Sequence, residues 1–168
     1  MKQNSITAFL CVLCICLLIG NALAMMPFSQ LIINKEAPEF TLSDLRGNEV
    51  SLSEWKGKKP IILFFWTTWC PNCRSGIRTL NTEYSKIQSN GVELLAIDLG
   101  EKQSRVQEYV DRYSVSYPIF LDENEDVSSQ YHIIGVPTYV LINKQGIVIE
   151  TKHEFPADYK EKFTEQSE

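Results

Sequence analysis

The apolar positions along the chain follow two periods, which predict strands that alternate with helices. Residues 61–66 form a continuous apolar run without a polar face, as expected for a central strand covered on both sides. After Pro71, apolar residues recur at spacings of three and four and predict a long amphipathic helix. Its apolar stripe consists of Cys73, Ile77, Leu80, Tyr84 and Ile87. Asn90-Gly91 marks the end of this helix.

The rest of the pattern continues this alternation and adds a hairpin at each end. One hairpin is predicted around Arg46-Gly47-Asn48 and the other around residues 143–146. The other predicted elements are strands at 92–97 and 119–121 and helices at 106–113, 125–131 and 157–166. Because strands separated by helices pair in parallel, this order predicts an α/β fold. We expect a three-layer α/β/α sandwich with a mixed central sheet and an N-terminal β-hairpin.

The first residues have the layout of a secretory signal peptide. Lys2 precedes a 14-residue apolar run at residues 6–19. As a helix this run spans about 21 Å, which is short of the ~30 Å hydrocarbon core of a bilayer. Ala22-Leu23-Ala24 then supplies the small residues that a signal peptidase requires.

This layout predicts a signal peptide at 1–24, a linker at 25–36 and a folded domain at 37–166. The alternative is an uncleaved anchor that tethers the protein to the membrane through residues 6–28. Both interpretations place the domain outside the cytoplasm, in the periplasm or at the outer face of the cytoplasmic membrane.

Length and charge restrict the classes of function. A chain of 168 residues with 44% apolar residues fits a single globular domain. Its formal net charge is −5, and the densest basic cluster is Lys56, Lys58 and Lys59. We therefore expect no nucleic-acid partner, because no face is built from runs of Lys and Arg.

The cysteines are divided between the two parts of the chain. Three of the five lie in the apolar N-terminal run, at Cys11, Cys14 and Cys16. An exported domain therefore keeps only Cys70 and Cys73, one C-x-x-C pair in an oxidising compartment.

The sequence Trp69-Cys70-Pro71-Asn72-Cys73 lies where the most apolar strand meets the longest helix. Pro71 suits the first helical position, which places Cys70 at the N-cap. There its sulfur faces unpaired N–H groups and the positive end of the helix dipole, which favour thiolate over thiol. Cys73 lies one turn further into the helix. We expect Cys70 to attack and Cys73 to resolve, with no cofactor, since the electrons pass through sulfur alone.

Three other interpretations of the cysteine pair compete with redox catalysis. A structural disulfide across so short a loop stabilises by only about 2 kcal/mol. A zinc site would need His132 and His153 as further ligands, and their separation of 21 residues fits no standard spacing. Two unpaired core thiols are the third interpretation.

Several further residues are candidates for the site. Gly135-Val136-Pro137-Thr138 precedes an apolar strand, where a proline is seldom tolerated without a specific role. Trp69 is expected to shield Cys70 and to shape the surface for the substrate. His132 is a weaker candidate, and the potential proton carriers are Glu83, Asp98 and Glu101.

These residues resemble thioredoxin-fold thiol–disulfide oxidoreductases, and among them the exported TlpA/ResA-like (redoxin, AhpC/TSA-related) branch. The resemblance extends from Ala37 to about Tyr159. Its motifs are Ala37-Pro38-Glu39-Phe40-Thr41-Leu42, Phe65-Trp66-Thr67-Thr68-Trp69-Cys70-Pro71-Asn72-Cys73, Gly135-Val136-Pro137-Thr138 and Leu141-Ile142-Asn143-Lys144-Gln145-Gly146.

The resemblance implies a thioredoxin-like fold with a substrate site at Trp69, Pro71, Asn72, Val136 and Pro137. Pro137 is then cis and faces the Cys70 sulfur, while Val136 offers its backbone to an extended substrate segment. It also implies protein thiols or disulfides as substrates, for example in cytochrome c or copper-site maturation, and a membrane thiol carrier as electron donor.

The chain departs from this family at three positions below the cysteine pair. Phe64 stands six places before Cys70, where many relatives carry an acidic or amide residue. Gly76 replaces a glutamate found in others, and Arg78 stands where a proline usually kinks the helix. The route by which a proton leaves Cys73 is therefore not given by the motif.

Two other functions stay open at this point. A peroxidase of the peroxiredoxin kind needs a P-x-x-x-T/S-x-x-C frame, in which Thr67 fits but Leu63 replaces the proline. A Cu(I)-delivery module would use the two thiols as soft ligands.

Overall fold

The structure is a computed structural model that describes residues 32–165. The expected signal peptide at 1–24 lies outside the described residues. The strands are β1 (Thr41–Asp44), β2 (Glu49–Ser51), β3 (Ile61–Trp66), β4 (Glu93–Leu99), β5 (Ile119–Asp122), β6 (Thr138–Ile142) and β7 (Val148–Lys152). The helices are α1 (Pro71–Ser89), α2 (Gln103–Tyr113), α3 (Asp126–Gln130) and α4 (Tyr159–Glu165). None of these helices has the length and apolar composition needed to cross a membrane.

The seven strands form one mixed sheet in the order β2-β1-β5-β4-β3-β6-β7. The strands β3, β4 and β5 are parallel, and the two hairpins pair antiparallel at the edges. All six residues of β3 are buried because both faces of the sheet are covered. One face packs against α1, α2 and α4, and the other against α3 and the N-terminal segment. The predicted three-layer α/β/α sandwich with a mixed sheet and an N-terminal hairpin is confirmed.

The register of the sheet places the start of α1 and the loop before β6 at the same edge. Parallel pairing aligns Trp66 with Asp98, so β3 and β4 end at the same edge. The strand β6 runs antiparallel to β3 and pairs Thr138 with Phe65. The loop before β6 therefore lies at the edge where β3 leads into α1.

The segment expected as a linker begins to pack before its predicted end. Ile32 is only 5% exposed and belongs to the core. The Asn34 amide donates to the Val148 carbonyl over 2.8 Å, and the Ala37 amide donates to Gly146 over the same distance. Residues 32–37 thus lie along the β6–β7 hairpin.

Some predicted boundaries shift by one or two residues for local reasons. The helix expected from residue 125 begins at Asp126, because Glu125 has a φ of +60°. The last helix begins at Tyr159 rather than at residue 157, after a turn in which the Ala157 amide donates to Phe155. Its buried residues are Tyr159 and Phe163.

Candidate active site

The first turn of α1 holds the two cysteines. Cys70 is the N-cap residue, Pro71 occupies the first helical position, and the Cys73 amide donates to the Cys70 sulfur over 3.1 Å. The two sulfurs form a disulfide, and the Cα atoms are 5.3 Å apart. Cys70 is 4% exposed and Cys73 is fully buried. The sulfur nearer the surface is therefore also the one that accepts a backbone N–H, an arrangement that favours the thiolate when the pair is reduced.

The loop before β6 faces this sulfur. The Val136-Pro137 peptide is cis, and the Cys70 sulfur lies 3.5 Å from the Val136 carbonyl oxygen. The neighbouring carbonyls have other partners: the Thr138 hydroxyl donates to Gly135 over 2.7 Å, and His153 binds the Pro137 oxygen. Val136 is thus the residue that this loop presents to the sulfur.

His153 is a site residue that the sequence did not single out for the redox site. Its Nδ1 lies 2.9 Å from the Pro137 oxygen and 3.2 Å from the Thr138 hydroxyl oxygen. A carbonyl only accepts hydrogen bonds, so this network assigns the proton to Nδ1. The register of the β6–β7 hairpin is the feature that could have identified His153. Because Tyr139 pairs with Lys152, the following residue, His153, lies beside the start of β6.

Two clefts lie beside the loop that faces the disulfide. A groove of about 410 Å³ contains Cys70 and is bordered by Val136 and by the exposed side chains of Trp69 and Ile134, which are 61% and 70% accessible. A larger cleft of about 710 Å³ lies on the other side of the loop, between α1 and the residues that follow β7. Asn72 borders both clefts. The structure therefore brings together every substrate-site residue named from the sequence.

The space beneath the cysteines is filled by aromatic rings. The Phe64 and Tyr139 rings stack with centroids 4.7 Å apart. A Cβ atom added to Gly76 would lie 2.5 Å from the Tyr139 hydroxyl oxygen and 3.1 Å from the Phe64 ring. The Tyr139 hydroxyl is buried without a partner among the described residues, and burial raises its pKa. These rings occupy the volume into which a glutamate at residue 76 would project.

The three acidic candidates lie in different surroundings. Glu83 pairs with Lys86 along the outer side of α1 and takes no part in the site. The Glu101 carboxylate accepts hydrogen bonds from the Thr68 amide over 2.6 Å and from the Thr68 hydroxyl over 2.7 Å. It therefore anchors the loop that leads to Cys70.

Asp98 is fully buried on the same side of the sheet as Trp66. Its carboxyl group interacts with the side chain and the backbone of Glu101. Burial, reinforced by the nearby charge of Glu101, raises the pKa of Asp98 to about 9. Asp98 is thus a protonated acid at neutral pH.

His132 lies in the turn after α3 with a φ of +52°. It borders neither of the two clefts beside the disulfide. Across the part of the chain that the structure describes, no group of three or more His, Cys, Asp or Glu residues is placed to hold a metal ion.

Comparison with known proteins gives consistent matches. A sequence profile of the AhpC/TSA family matches residues 33–151. Thiol-disulfide oxidoreductase ResA of Bacillus thuringiensis subsp. konkukian is 37% identical over 118 residues, which cover 70% of this chain and 68% of the relative. The ResA protein of Bacillus anthracis is 36% identical over the same shares of both chains.

Two solved structures share the fold. The crystal structure of StoA from Bacillus subtilis superposes with a TM-score of 0.64 and 29% identity, covering 75% of this chain and 96% of that one. A putative thiol:disulfide interchange protein DsbE from Chlorobium tepidum superposes with a TM-score of 0.68 and 26% identity, covering 80% and 94%.

Proposed function

This chain belongs to the AhpC/TSA family and is a thiol–disulfide oxidoreductase, and on that premise we propose that it acts outside the cytoplasm as a reductant of selected protein disulfides. The observation that carries the exchange chemistry is the position of Cys70, at a helix N-cap and 3.5 Å from the Val136 carbonyl, with Cys73 buried behind it. The order of attack follows from these surroundings.

In the proposed reaction, the reduced pair transfers two electrons to the substrate. The Cys70 thiolate attacks one sulfur of the substrate disulfide, and the other substrate sulfur leaves as a thiolate. Cys73 then loses its proton and attacks the Cys70 sulfur of the mixed disulfide. The second substrate thiolate leaves, and the Cys70–Cys73 disulfide remains. No cofactor takes part in this scheme.

The substrate segment is proposed to bind in an extended form across the groove beside Cys70. Val136 would pair with it as one more strand, because the neighbouring carbonyls of the loop already have partners. Trp69 and Ile134 would cover the apolar part of the segment, since both side chains are largely exposed and line the groove that contains Cys70.

The direction of electron flow and the location remain part of the proposal. The named function of the ResA relatives supports protein thiols and disulfides as substrates. Reduction of cysteines during cytochrome c or copper-site maturation would fit such an activity. A membrane thiol carrier would then regenerate the dithiol. The signal-like sequence at residues 1–24 supports export, with a tether through 6–28 if it is not cleaved.

The test is the reduction potential of the Cys70/Cys73 couple, measured by equilibration with glutathione. A value well below about −180 mV supports a reductant, whereas a value near or above it indicates an oxidant or isomerase. On the same preparation, turnover with a disulfide, turnover with hydrogen peroxide and Cu(I) affinity distinguish the oxidoreductase from a peroxidase and a copper carrier. The Cys70→Ser variant is the control for each measurement.

A further inference from the structure

A cationic cleft lies on the far side of Trp69 from the groove that contains Cys70. It has a volume of about 420 Å³ and is formed between the first turns of α1 and the length of α2. Three arginines line it, Arg74 from α1 and Arg105 and Arg112 from α2. The chain as a whole carries a net charge of −5, so this concentration of guanidinium groups runs against its overall charge.

The positive charge in this cleft is only partly neutralised. Arg105 pairs with the buried Glu101, and Arg112 pairs with the exposed Glu108. The guanidinium of Arg74 pairs with no carboxylate within residues 32–165. Three cations thus face two carboxylates, one of which is buried.

Tyr109 also lines the cleft. Burial raises the pKa of its hydroxyl, and the positive charges of Arg74 and Arg78 act in the opposite direction. Arg78, one turn after Arg74, therefore adds a fourth cation that acts on the same tyrosine.

Two exposed aromatic side chains complete the cleft. Trp69 and Tyr113 are 61% and 43% accessible, and both line it. Trp69 immediately precedes Cys70 and also borders the groove that contains the sulfur. A ligand in the cationic cleft would therefore lie next to a disulfide bound at Cys70. Guanidinium groups bind carboxylates in a bidentate manner, and exposed aromatic rings are common in binding surfaces.

We propose that the cleft lined by Arg74, Arg105, Arg112, Trp69 and Tyr113 binds an acidic segment of the protein substrate, beside the cysteine that Cys70 attacks. The inference rests on the proposed function and specifies its substrate class. Acidic residues near the substrate disulfide would be attracted before the sulfurs meet, so the effect appears in the second-order rate constant.

The experiment compares two disulfide-bonded peptides that differ only in Glu or Gln residues beside the cysteine. The reduced protein is mixed with each peptide at low and high salt. The expected ratio of rate constants, acidic over neutral, is about tenfold at low salt and falls towards one at high salt. Reduction of the neutral compound 2-hydroxyethyl disulfide is measured in parallel, and failure of the wild-type protein there would count against the proposed function instead.

The variants locate the effect in the cleft. Arg74→Gln combined with Arg112→Gln should bring the acidic-to-neutral ratio close to one, whereas the double change to Glu should favour a peptide with Lys in place of Glu. Arg105 is left intact because it contacts Thr68, in the loop before Cys70, and Glu101, which anchors that loop. Arg46→Gln removes an arginine at the opposite end of the sheet and should keep the wild-type ratio. An unchanged ratio in the double variant, or an equal fall in Arg46→Gln, overturns the proposal.

Discussion

The Nδ1 atom of His153 lies 2.9 Å from the carbonyl oxygen of Pro137. This hydrogen bond joins the end of β7 to the loop that faces the Cys70 sulfur, across 16 residues of sequence. It gives the carbonyl next to Val136 a partner within the protein. We infer that His153 positions the loop without touching the reacting sulfurs.

Replacing His153 tests this relationship. His153→Leu removes the donor and should lower kcat/KM for a peptide disulfide by about five- to tenfold, as expected for one lost hydrogen bond. His153→Asn should restore most of the rate, because its amide nitrogen can occupy the position of Nδ1. The rate with 2-hydroxyethyl disulfide, which makes no strand with Val136, should change less in both variants. If kcat/KM of His153→Asn is as low as that of His153→Leu, the hydrogen bond to Pro137 does not account for the effect.

Gly76 and Tyr139 should be energetically coupled. Gly76→Ala places a Cβ 2.5 Å from the Tyr139 hydroxyl oxygen, and we expect it to destabilise the protein by about 1–3 kcal/mol. Tyr139→Phe alone should have little effect, because the hydroxyl has no partner in the described structure. In the Tyr139→Phe variant, Gly76→Ala should lower the free energy of unfolding by a smaller amount. Urea unfolding of the wild type, the two single variants and the double variant measures the coupling, with Ser75→Ala as a neighbouring control. If Gly76→Ala lowers the free energy of unfolding equally with Tyr139 and with Phe at residue 139, the two residues are independent.

Asp98 should make the oxidised protein less stable as the pH rises. Its pKa is about 9 in the folded state, against 3.8 for an ordinary aspartate. The folded state therefore binds more protons than the unfolded state between these values. The contribution of Asp98 to stability is complete below about pH 4 and is lost as the pH rises towards 9, with a slope of at most about 1.4 kcal/mol per pH unit.

Asp98→Asn is the corresponding test, because the amide keeps the shape of the protonated acid. The free energies of unfolding of the two proteins should be similar near pH 4, and the variant should become progressively more stable than the wild type towards pH 8. Glu83→Gln removes a carboxylate that pairs at the surface and should leave the pH dependence unchanged. A constant difference between wild type and Asp98→Asn would contradict the assignment.

The two cysteines should have different reactivities. In the reduced protein at mildly acidic pH, iodoacetamide should label Cys70 and leave the buried Cys73 unmodified. Cys73→Ser should accumulate mixed disulfides with substrates, while Cys70→Ser should trap few. Mass spectrometry of the peptides measures the labelling of each cysteine. Equal labelling of both cysteines would refute this division of roles.

Resolution of the mixed disulfide should be the slow, base-sensitive step. Cys73 must become a thiolate in a buried site where Phe64 and Gly76 supply no carboxylate. Stopped-flow measurements between pH 6 and 9 should show the rate of release rising by up to about tenfold per pH unit. A flat profile would mean that another group accepts the proton, and Glu101 is then the first residue to replace.

Local patterns were sufficient for the strands, the helices and the position of Cys70 at the start of α1. The apolar run of β3 predicts burial on both faces of the sheet, because every residue in it is apolar. The apolar stripe along α1 predicts which face of this helix packs on the sheet. Cys70 could be placed at the N-cap because Pro71 fixes the start of the helix, and the structure has this arrangement. Each of these conclusions depends on residues that are close in the chain.

The contacts between distant residues were decided only by the tertiary structure. His153 reaches Pro137 through the β6–β7 register, and Tyr139 fills the space beside Gly76 because β6 lies beneath α1. Arg74 and Arg112 share a cleft only because α1 and α2 pack on the same face of the sheet. The sequence determined which residue types were present and the local structure around the cysteines. Strand order, register and side-chain packing decided which of those residues meet, because contacts of this kind depend on the whole fold and leave no periodic signal along the chain.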